Sequence, residues 1–256
     1  MMIVRLLRQI LLYLREYFFP SGCGGCGETL CGGSSGDALY GLCAPCRDFL
    51  NTACNDKNRC EICGRHLISE IRVCIPCRTN SGTQSSLVKT RAIFPFSGKS
   101  RSVLIAYKFE KSLGIGNFLV RQLCAALESA ALESFKDVQA ENAAWIPVPP
   151  RAEKIKREGW DQIEYLARLL EKERHGKNSL PVRRCLKRLP SRSQKELNFS
   201  QRMDNLKRRI ICVQPPPETA VLFDDVLTTG ATMNACATAL LEGGAKQVYG
   251  ICLFYN

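Results

Sequence analysis

The chain has 256 residues, of which 45% are hydrophobic and 23% are charged. This length and composition suit one large or two modest domains with a sizeable core, and they exclude a chain that lacks a globular fold. The formal net charge of +12 favours an anionic partner such as phosphates, nucleic acid or a membrane surface.

Residues 1–19 form an apolar leader with interspersed arginines. Arg5, Arg8 and Arg15 interrupt the apolar run, and no small-residue cleavage site precedes the first cysteines, so we predict a basic amphipathic helix and not a secretory signal. The charge-free stretch at residues 9–14 is too short to span a bilayer. Contact of this helix with a membrane surface stays open as an alternative.

Residues 20–78 form a cysteine-rich module that holds four CxxC pairs. Two such pairs can present four thiolates to one zinc ion in a closed tetrahedral site. The spacing therefore favours one or two structural zinc sites over a disulfide framework. The predicted ligands are Cys23, Cys26, Cys43, Cys46, Cys60, Cys63, Cys74 and Cys77.

Other cysteines and one histidine leave alternatives open. Cys31 and Cys54 lie outside the pairs, and either could replace a ligand, while His66 is the non-cysteine candidate. The scattered cysteines of the later sequence are predicted to be buried small apolar residues: Cys124, Cys185, Cys212, Cys236 and Cys252. Free thiols of this kind indicate a reducing compartment, so we expect a cytoplasmic protein.

A linker rich in Ser, Thr and Gly, residues 79–90, precedes a region where strands and helices alternate. The pattern predicts strands at 91–96, 145–148, 221–223 and 247–254, with helices at 102–109, 118–131, 161–173 and 233–241. Alternation of this kind predicts an α/β domain at residues 91–256, with a mostly parallel sheet and helices on both faces. Such sheets bind ligands at the carboxyl ends of their strands.

Much of the positive charge is concentrated in residues 183–209, which hold ten basic residues against two acids. A segment of this charge favours contact with phosphates. A flexible, solvated basic loop is the alternative.

The most informative stretch is residues 220–232, where an apolar run stops at two acids and a turn rich in Thr and Gly. The carboxylates of Asp224 and Asp225 can accept hydrogen bonds from sugar hydroxyls, and residues 228–232 offer hydroxyls and backbone amides where a helix begins. No G-x-G-x-x-G follows the strand, which argues against a dinucleotide site. The alternative is an ordinary strand–turn–helix corner with solvated acids.

This stretch resembles the phosphoribosyl pyrophosphate (PRPP) motif of type I phosphoribosyltransferases. With the CxxC-rich module before it, the chain resembles the ComF/GntX family, competence-associated proteins with a phosphoribosyltransferase-like domain, over nearly its whole length. Further agreements are Tyr107-Lys108-Phe109, Ile146-Pro-Val-Pro149, Gly159-Trp-Asp-Gln162, and Gln194-x-x-Leu197 leading to Arg202 and Asn205.

The resemblance implies a type I phosphoribosyltransferase-like fold and a site for PRPP with magnesium. It implies that Asp224 and Asp225 are the catalytic acids, which hold the ribose hydroxyls. The implied PRPP-binding residues are Thr228, Thr229, Gly230, Ala231, Thr232, Lys108, Pro147, Val148, Arg151 and Arg157. The implied hood over the site, which recognises an acceptor or nucleic acid, contains Arg188, Gln194 and Arg202.

One position departs from the family pattern. Glu158 stands where a typical member has arginine. Arg157 is the candidate to compensate, although neighbouring helix positions differ by about 100° in direction.

Two functions follow from the resemblance. The first is transfer of the phosphoribosyl group to an unidentified acceptor, linked to competence and DNA uptake. The alternative is binding of single-stranded DNA without catalysis, together with competence proteins, on the same fold and zinc module.

Overall fold

The structure, a computed structural model, describes residues 22–30, 37–54, 58–79, 86–133, 142–173, 180–190 and 209–256. The predicted leader helix, Cys31 and the hood residues Gln194 and Arg202 lie outside these ranges. Within them, no helix is both long enough and apolar enough to cross a membrane.

The elements follow in this order: α1 (Asp37–Tyr40), α2 (Ala44–Cys54), α3 (Ile75–Thr79), β1 (Lys89–Pro95), α4 (Gly98–Lys108), α5 (Leu113–Glu133), β2 (Ala143–Pro147), α6 (Ala152–Glu158), α7 (Gln162–Lys172), β3 (Leu186–Arg188), β4 (Ile210–Cys212), β5 (Thr219–Leu227), α8 (Ala231–Glu242) and β6 (Gln247–Tyr255). The predicted strands and helices from residue 91 onward are all present, with shifted bounds. The short strands β3 and β4 were not expected, because Leu-Lys-Arg and Ile-Ile-Cys are too short for a periodic pattern.

The chain forms two compact units whose segments alternate along the sequence. Unit 1 comprises Met1–Asn55 and Ser97–Phe118, and unit 2 comprises Asp56–Phe96 and Leu119–Asn256. This division crosses both the cysteine-rich module and the predicted α/β domain. Each unit therefore contains two of the four CxxC pairs.

Unit 1 is built from short helices around a small apolar core. Leu42, Leu50 and Ile115 are fully buried there. Arg47 of α2 connects to α1, since its guanidinium donates to the Asp37 carboxylate at 2.5 Å and to the Leu42 carbonyl at 2.7 Å. These contacts hold the segment that leads into the second CxxC pair.

Unit 2 contains a four-stranded sheet in the order β1-β6-β5-β2, with every neighbouring pair parallel. Residues 219–223 of the central strand β5 are all buried. A central parallel strand is covered on both faces, which explains why the apolar run in the sequence is continuous and not alternating. The outer edge of β2 is covered as well, because Trp145 bonds the backbone of Pro181 and Arg183.

Helices cover both faces of this sheet. On one face, Leu240 of α8 shares a buried cluster with Ile146 and Leu222. Successive strand residues point to opposite faces, so Trp145 and Phe223 lie on the other, where their rings meet edge to face with centroids 5.8 Å apart. Helix α7 contacts both of these strands. The predicted α/β fold, a mostly parallel sheet between helices with a cysteine-rich part before it, is confirmed.

The segment with the third and fourth CxxC pairs packs against the open edge of β1. Arg59 donates to the Ala92 carbonyl at 2.7 Å, and the Thr90 backbone N–H donates to the Ile62 carbonyl at 3.2 Å. Gly64 has φ +70° and approaches so closely that a Cβ there would lie 2.8 Å from the Thr90 carbonyl oxygen. The edge strand is thereby protected from pairing with another chain.

Candidate functional site

Strands β2 and β5 end side by side at the carboxyl edge of the sheet. Pro147 pairs with Phe223 in register, and the Val148 backbone N–H donates to the Phe223 carbonyl at 3.1 Å. The loop after β2 therefore leaves the same edge as Asp224, which follows Phe223. Two predicted PRPP-binding residues, Pro147 and Val148, are thus brought next to the acid pair.

The two acids have different surroundings. They occupy successive positions of β5, so their side chains point to opposite faces of the sheet. Asp224 is partly exposed, and its Oδ1 accepts the backbone N–H of Asp225 at 2.8 Å. Asp225 is 6% exposed, and its Oδ2 accepts a hydrogen bond from Gln162 Nε2 at 2.6 Å.

The loop after β5 leads directly into α8. Thr228 and Thr229 are exposed, and Gly230 caps the helix with φ +77°, a left-handed conformation that glycine adopts without steric cost. Thr229 Oγ1 accepts the Ala231 backbone N–H at 3.4 Å. The first turn, which includes the partly exposed Thr232, presents backbone amides where a phosphate can accept hydrogen bonds.

Arg188 interacts electrostatically with Asp224 and with two further arginines, Arg151 and Arg209. Arg188 ends β3 and is partly exposed. Burial lowers the pKa of Arg188, and the charge of Arg151 lowers it further, whereas Cys236 and Asp224 act in the opposite direction. Arg188 therefore lies in an environment of three arginines and one acid, whose excess of positive charge suits an anionic sugar ligand.

The two other predicted phosphate-site cations are Arg157 and Lys108. Arg157 exposes 77% of its side chain and pairs with Glu158 at 2.7 Å. The acid that replaces the family arginine therefore engages the residue predicted to compensate for it. Lys108 is the last residue of α4 in unit 1, and its contact with PRPP stays a prediction.

Sequence reasoning placed Lys154 among the cations that follow the Pro147–Val148 loop, but it did not assign Gln162 a role in the site. Gln162 is the first residue of α7 and bonds Asp225, while Lys154 of α6 contacts Gln162 and lies 3.2 Å from Asp161. The segment at residues 159–162 was noted as part of a family pattern. Nothing local in the sequence indicates that it faces β5.

The first cysteine group lies in unit 1 and comprises Cys23, Cys26, Cys43 and Cys46. All four Sγ atoms lie within 4.8 Å of one another, and Cys43 Sγ lies 3.6 Å from that of Cys23 and 3.7 Å from that of Cys26. A disulfide requires about 2.0 Å. Four thiolates at about 2.3 Å from a zinc ion lie about 3.8 Å apart. The spacing therefore fits a tetrahedral metal ion.

The second group lies in unit 2 and comprises Cys60, Cys63, Cys74 and Cys77, again with all Sγ atoms within 4.8 Å. It is part of the same buried cluster as the sheet. The pKa of the Cys63 thiol is lowered to about 5, chiefly by a hydrogen bond with Cys77 and with help from Arg65, although burial opposes the shift. A favoured thiolate suits zinc, which binds the deprotonated sulfur.

The structure settles how the CxxC pairs combine: the first joins the second, and the third joins the fourth. His66 belongs to neither group, and its backbone N–H donates to the Tyr255 hydroxyl at 3.1 Å. The other predicted thiols divide into three that are buried, Cys185, Cys236 and Cys252, and two that are partly exposed, Cys124 and Cys212. Cys124 and Cys212 therefore depart from the prediction; Cys212 is the last residue of β4 and packs against the core cluster without being fully buried.

No family model matches the chain. The chain is 30% identical over 162 residues to the competence protein ComFC of Streptococcus pneumoniae, a match that covers 63% of this chain and 66% of that protein, just under two thirds. It is 26% identical over 208 residues to the competence protein ComFC of Bacillus subtilis, with 79% of each chain covered.

A local similarity joins the chain to ribose-phosphate pyrophosphokinases of Oceanobacillus iheyensis and Bacillus subtilis. Each is 49% identical over 35 residues, which are 14% of this chain and 11% of that enzyme. The local match agrees with a phosphoribosyltransferase-like fold. The similarity to the two ComFC proteins, over a fold with a parallel sheet and paired cysteine groups, shows that the chain belongs to the ComF family.

Proposed function

We propose that the protein binds PRPP with magnesium at the carboxyl edge of its sheet and transfers the phosphoribosyl group to an acceptor. The observation that carries this proposal is the order of groups at one edge: an acid pair ends β5, a loop rich in Thr and Gly follows, and α8 begins there. A phosphorylated sugar needs acceptors for its hydroxyls and donors for its phosphate within a few residues.

In this proposal, Asp224 and Asp225 accept hydrogen bonds from the ribose hydroxyls, and residues 228–232 hold the 5′-phosphate. The loop that starts at Pro147 and Val148 binds the pyrophosphate. Magnesium, when bound, supplies positive charge that stabilises the departing pyrophosphate. Carboxylate and phosphate oxygens are the hard ligands that magnesium prefers, so the groups present fit this ion.

The protein's own cations favour the same reaction. Departure of pyrophosphate builds negative charge on the leaving group, and positioned cations stabilise that charge. We assign this part mainly to Arg188, which interacts electrostatically with Asp224, and to Arg151, which interacts with Arg188. Arg157 takes a lesser part because Glu158 holds its guanidinium.

We also propose a role in competence and DNA uptake, within the cytoplasm. Two relatives bear the name competence protein ComFC, which supports this assignment. Zinc in the two cysteine groups would be structural, because four thiolates leave no open position for a substrate.

Binding of single-stranded DNA without catalysis is the second candidate. The basic segment at residues 183–209 favours it. Within the described part of that segment, Arg183 and Lys187 are exposed and Arg188 is partly exposed. Contacts of such cations with phosphates make affinity fall steeply with salt.

Titration calorimetry with PRPP and magnesium tests the first candidate. We expect the wild-type protein to bind, and Asp224→Asn to bind at least about tenfold more weakly, because a hydrogen bond to a charged group contributes about 1.5–3 kcal/mol. Asp48→Asn, at an exposed position of α2, is the matched control and should bind like the wild type. Absence of heat from the wild-type protein would contradict the proposal.

A salt titration with a short single strand separates the second candidate from the first. Binding at low salt that weakens steeply as salt rises, in a protein that gives no heat with PRPP, would favour the binding role alone. Absence of binding even at low salt would remove it.

A further inference from the structure

The corner between α6 and α7 holds a chain of polar contacts that ends at Asp225. Lys154 Nζ lies 3.2 Å from Asp161 Oδ2 and donates to Gln162 Oε1, and Gln162 Nε2 donates to Asp225 Oδ2 at 2.6 Å. Asp161, Gln162 and Asp225 are 8%, 6% and 6% exposed. The contacts are therefore shielded from water. Hydrogen bonds to charged groups are stronger in such a shielded site than in water.

The donors and acceptors allow only one arrangement of these polar contacts. A lysine ammonium can only donate, so Gln162 must turn its carbonyl oxygen toward Lys154 and its NH2 group toward Asp225. Asp161 is fixed too, because its Oδ1 caps α7 by accepting the backbone N–H groups of Ile163 at 2.9 Å and Glu164 at 3.1 Å. A flipped Gln162 amide would set an NH2 group against an ammonium.

We infer that Gln162, oriented by Lys154, is a positioning residue for Asp225, and this inference rests on the proposed PRPP site. With Oδ2 held by Gln162, the carboxylate of Asp225 has a fixed plane and presents Oδ1 to a ribose hydroxyl at the strand end. Gln162 itself acts only through Asp225.

The chemistry of the amide suits this task. An amide donor orients the carboxylate and leaves its negative charge in place for the ligand hydroxyl, whereas a lysine or arginine in the same position would offset that charge. The ammonium of Lys154 is in turn balanced by Asp161 at 3.2 Å and by Glu158 at 4.0 Å. Glu158, which departs from the family pattern, thus belongs to the network that orients Gln162.

The first test is Gln162→Leu, which removes the donor and puts an apolar side chain, one bond shorter, in its place. We expect PRPP with magnesium to bind about tenfold to a hundredfold more weakly in calorimetry, the range that one hydrogen bond to a charged group supports. Leu166→Val on the same helix is the control, since Leu166 is fully buried and lies outside the network. It should lower the melting temperature yet bind PRPP like the wild type.

The second test exchanges the two groups in Gln162→Glu/Asp225→Asn. The carboxylate introduced at position 162 can pair with Lys154 and accept from the amide introduced at position 225, so the melting temperature should return close to the wild-type value. PRPP binding should stay weak, because the carboxylate no longer faces the ribose. Recovery of binding in this variant would overturn the inference, since it would show that Asp225 is not the ligand-facing group.

The experimental outcomes distinguish failure of this inference from failure of the proposed PRPP-binding function. A wild-type protein that gives no heat with PRPP removes the proposed function and the inference together. A wild-type protein that binds, alongside a Gln162→Leu variant of equal affinity, removes the inference alone.

Discussion

At the scale of single residues, the charge around Asp224 depends on where each cation is held. The family pattern has arginine at position 158, and this chain has glutamate, which pairs with Arg157 at 2.7 Å and with Lys154 at 4.0 Å. Positive charge in the environment of Asp224 is supplied by Arg188, a residue distant in sequence. The site therefore keeps positive charge although position 158 is a glutamate.

This distribution of charge predicts different effects for two arginines. Arg188→Gln should weaken PRPP binding about tenfold or more, because it removes a partly buried cation next to the site. Arg157→Gln should change affinity less than about twofold, since exposed ion pairs contribute little. Calorimetry at one fixed ionic strength measures both. Equal losses in the two variants would contradict this assignment.

At the scale of elements, the turn of the third CxxC pair packs tightly against the edge of the sheet. The turn after it passes so close to β1 that Gly64 has no room for a side chain. Gly27 holds the equivalent place after the first CxxC pair, with φ +80°, and nothing lies within 4 Å of a Cβ placed there. The same local turn thus faces a strand in one unit and open space in the other.

These two glycines form a matched pair for mutation. Gly27→Ala should cost about 1 kcal/mol of folding free energy, from the left-handed conformation alone. Gly64→Ala should cost roughly 2 kcal/mol more, because backbone atoms of β1 must shift as well. Urea unfolding of both variants measures the difference. Equal costs would show that the contact with β1 is not tight.

At the scale of the whole molecule, each compact unit contains one group of four cysteines. The group in unit 2 is buried in the cluster that also contains the sheet, whereas Cys26 of the other group is exposed. Metal binding should therefore support the two units to different extents.

We predict two zinc ions per chain, measured by elemental analysis of the purified protein. Cys26→Ser and Cys63→Ser should each lower the content to about one. Cys63→Ser should also lower the melting temperature further, by at least about 4 °C, because about 2 kcal/mol or more of metal-linked folding energy is then lost within the sheet's own core. One ion per wild-type chain would contradict the assignment of two separate sites.

Local patterns allowed several features to be predicted. The CxxC spacing is a property of neighbouring residues and gave the eight cysteines that form the two groups. The continuous apolar run before Asp224 gave a strand covered on both faces, and the alternation of elements gave the parallel sheet. The short strands β3 and β4 were not predictable, because three residues carry no detectable period.

By itself, the sequence determined the fold class, the eight cysteines of the two groups, and the order of acids, threonines and glycine at the end of one strand, since each depends on residues close together in the chain. The tertiary structure decided which CxxC pairs combine and which unit each belongs to. It also decided that Gln162 bonds Asp225 and that Arg188 interacts electrostatically with Asp224. Those arrangements depend on contacts between residues far apart in sequence, which no local period or spacing records.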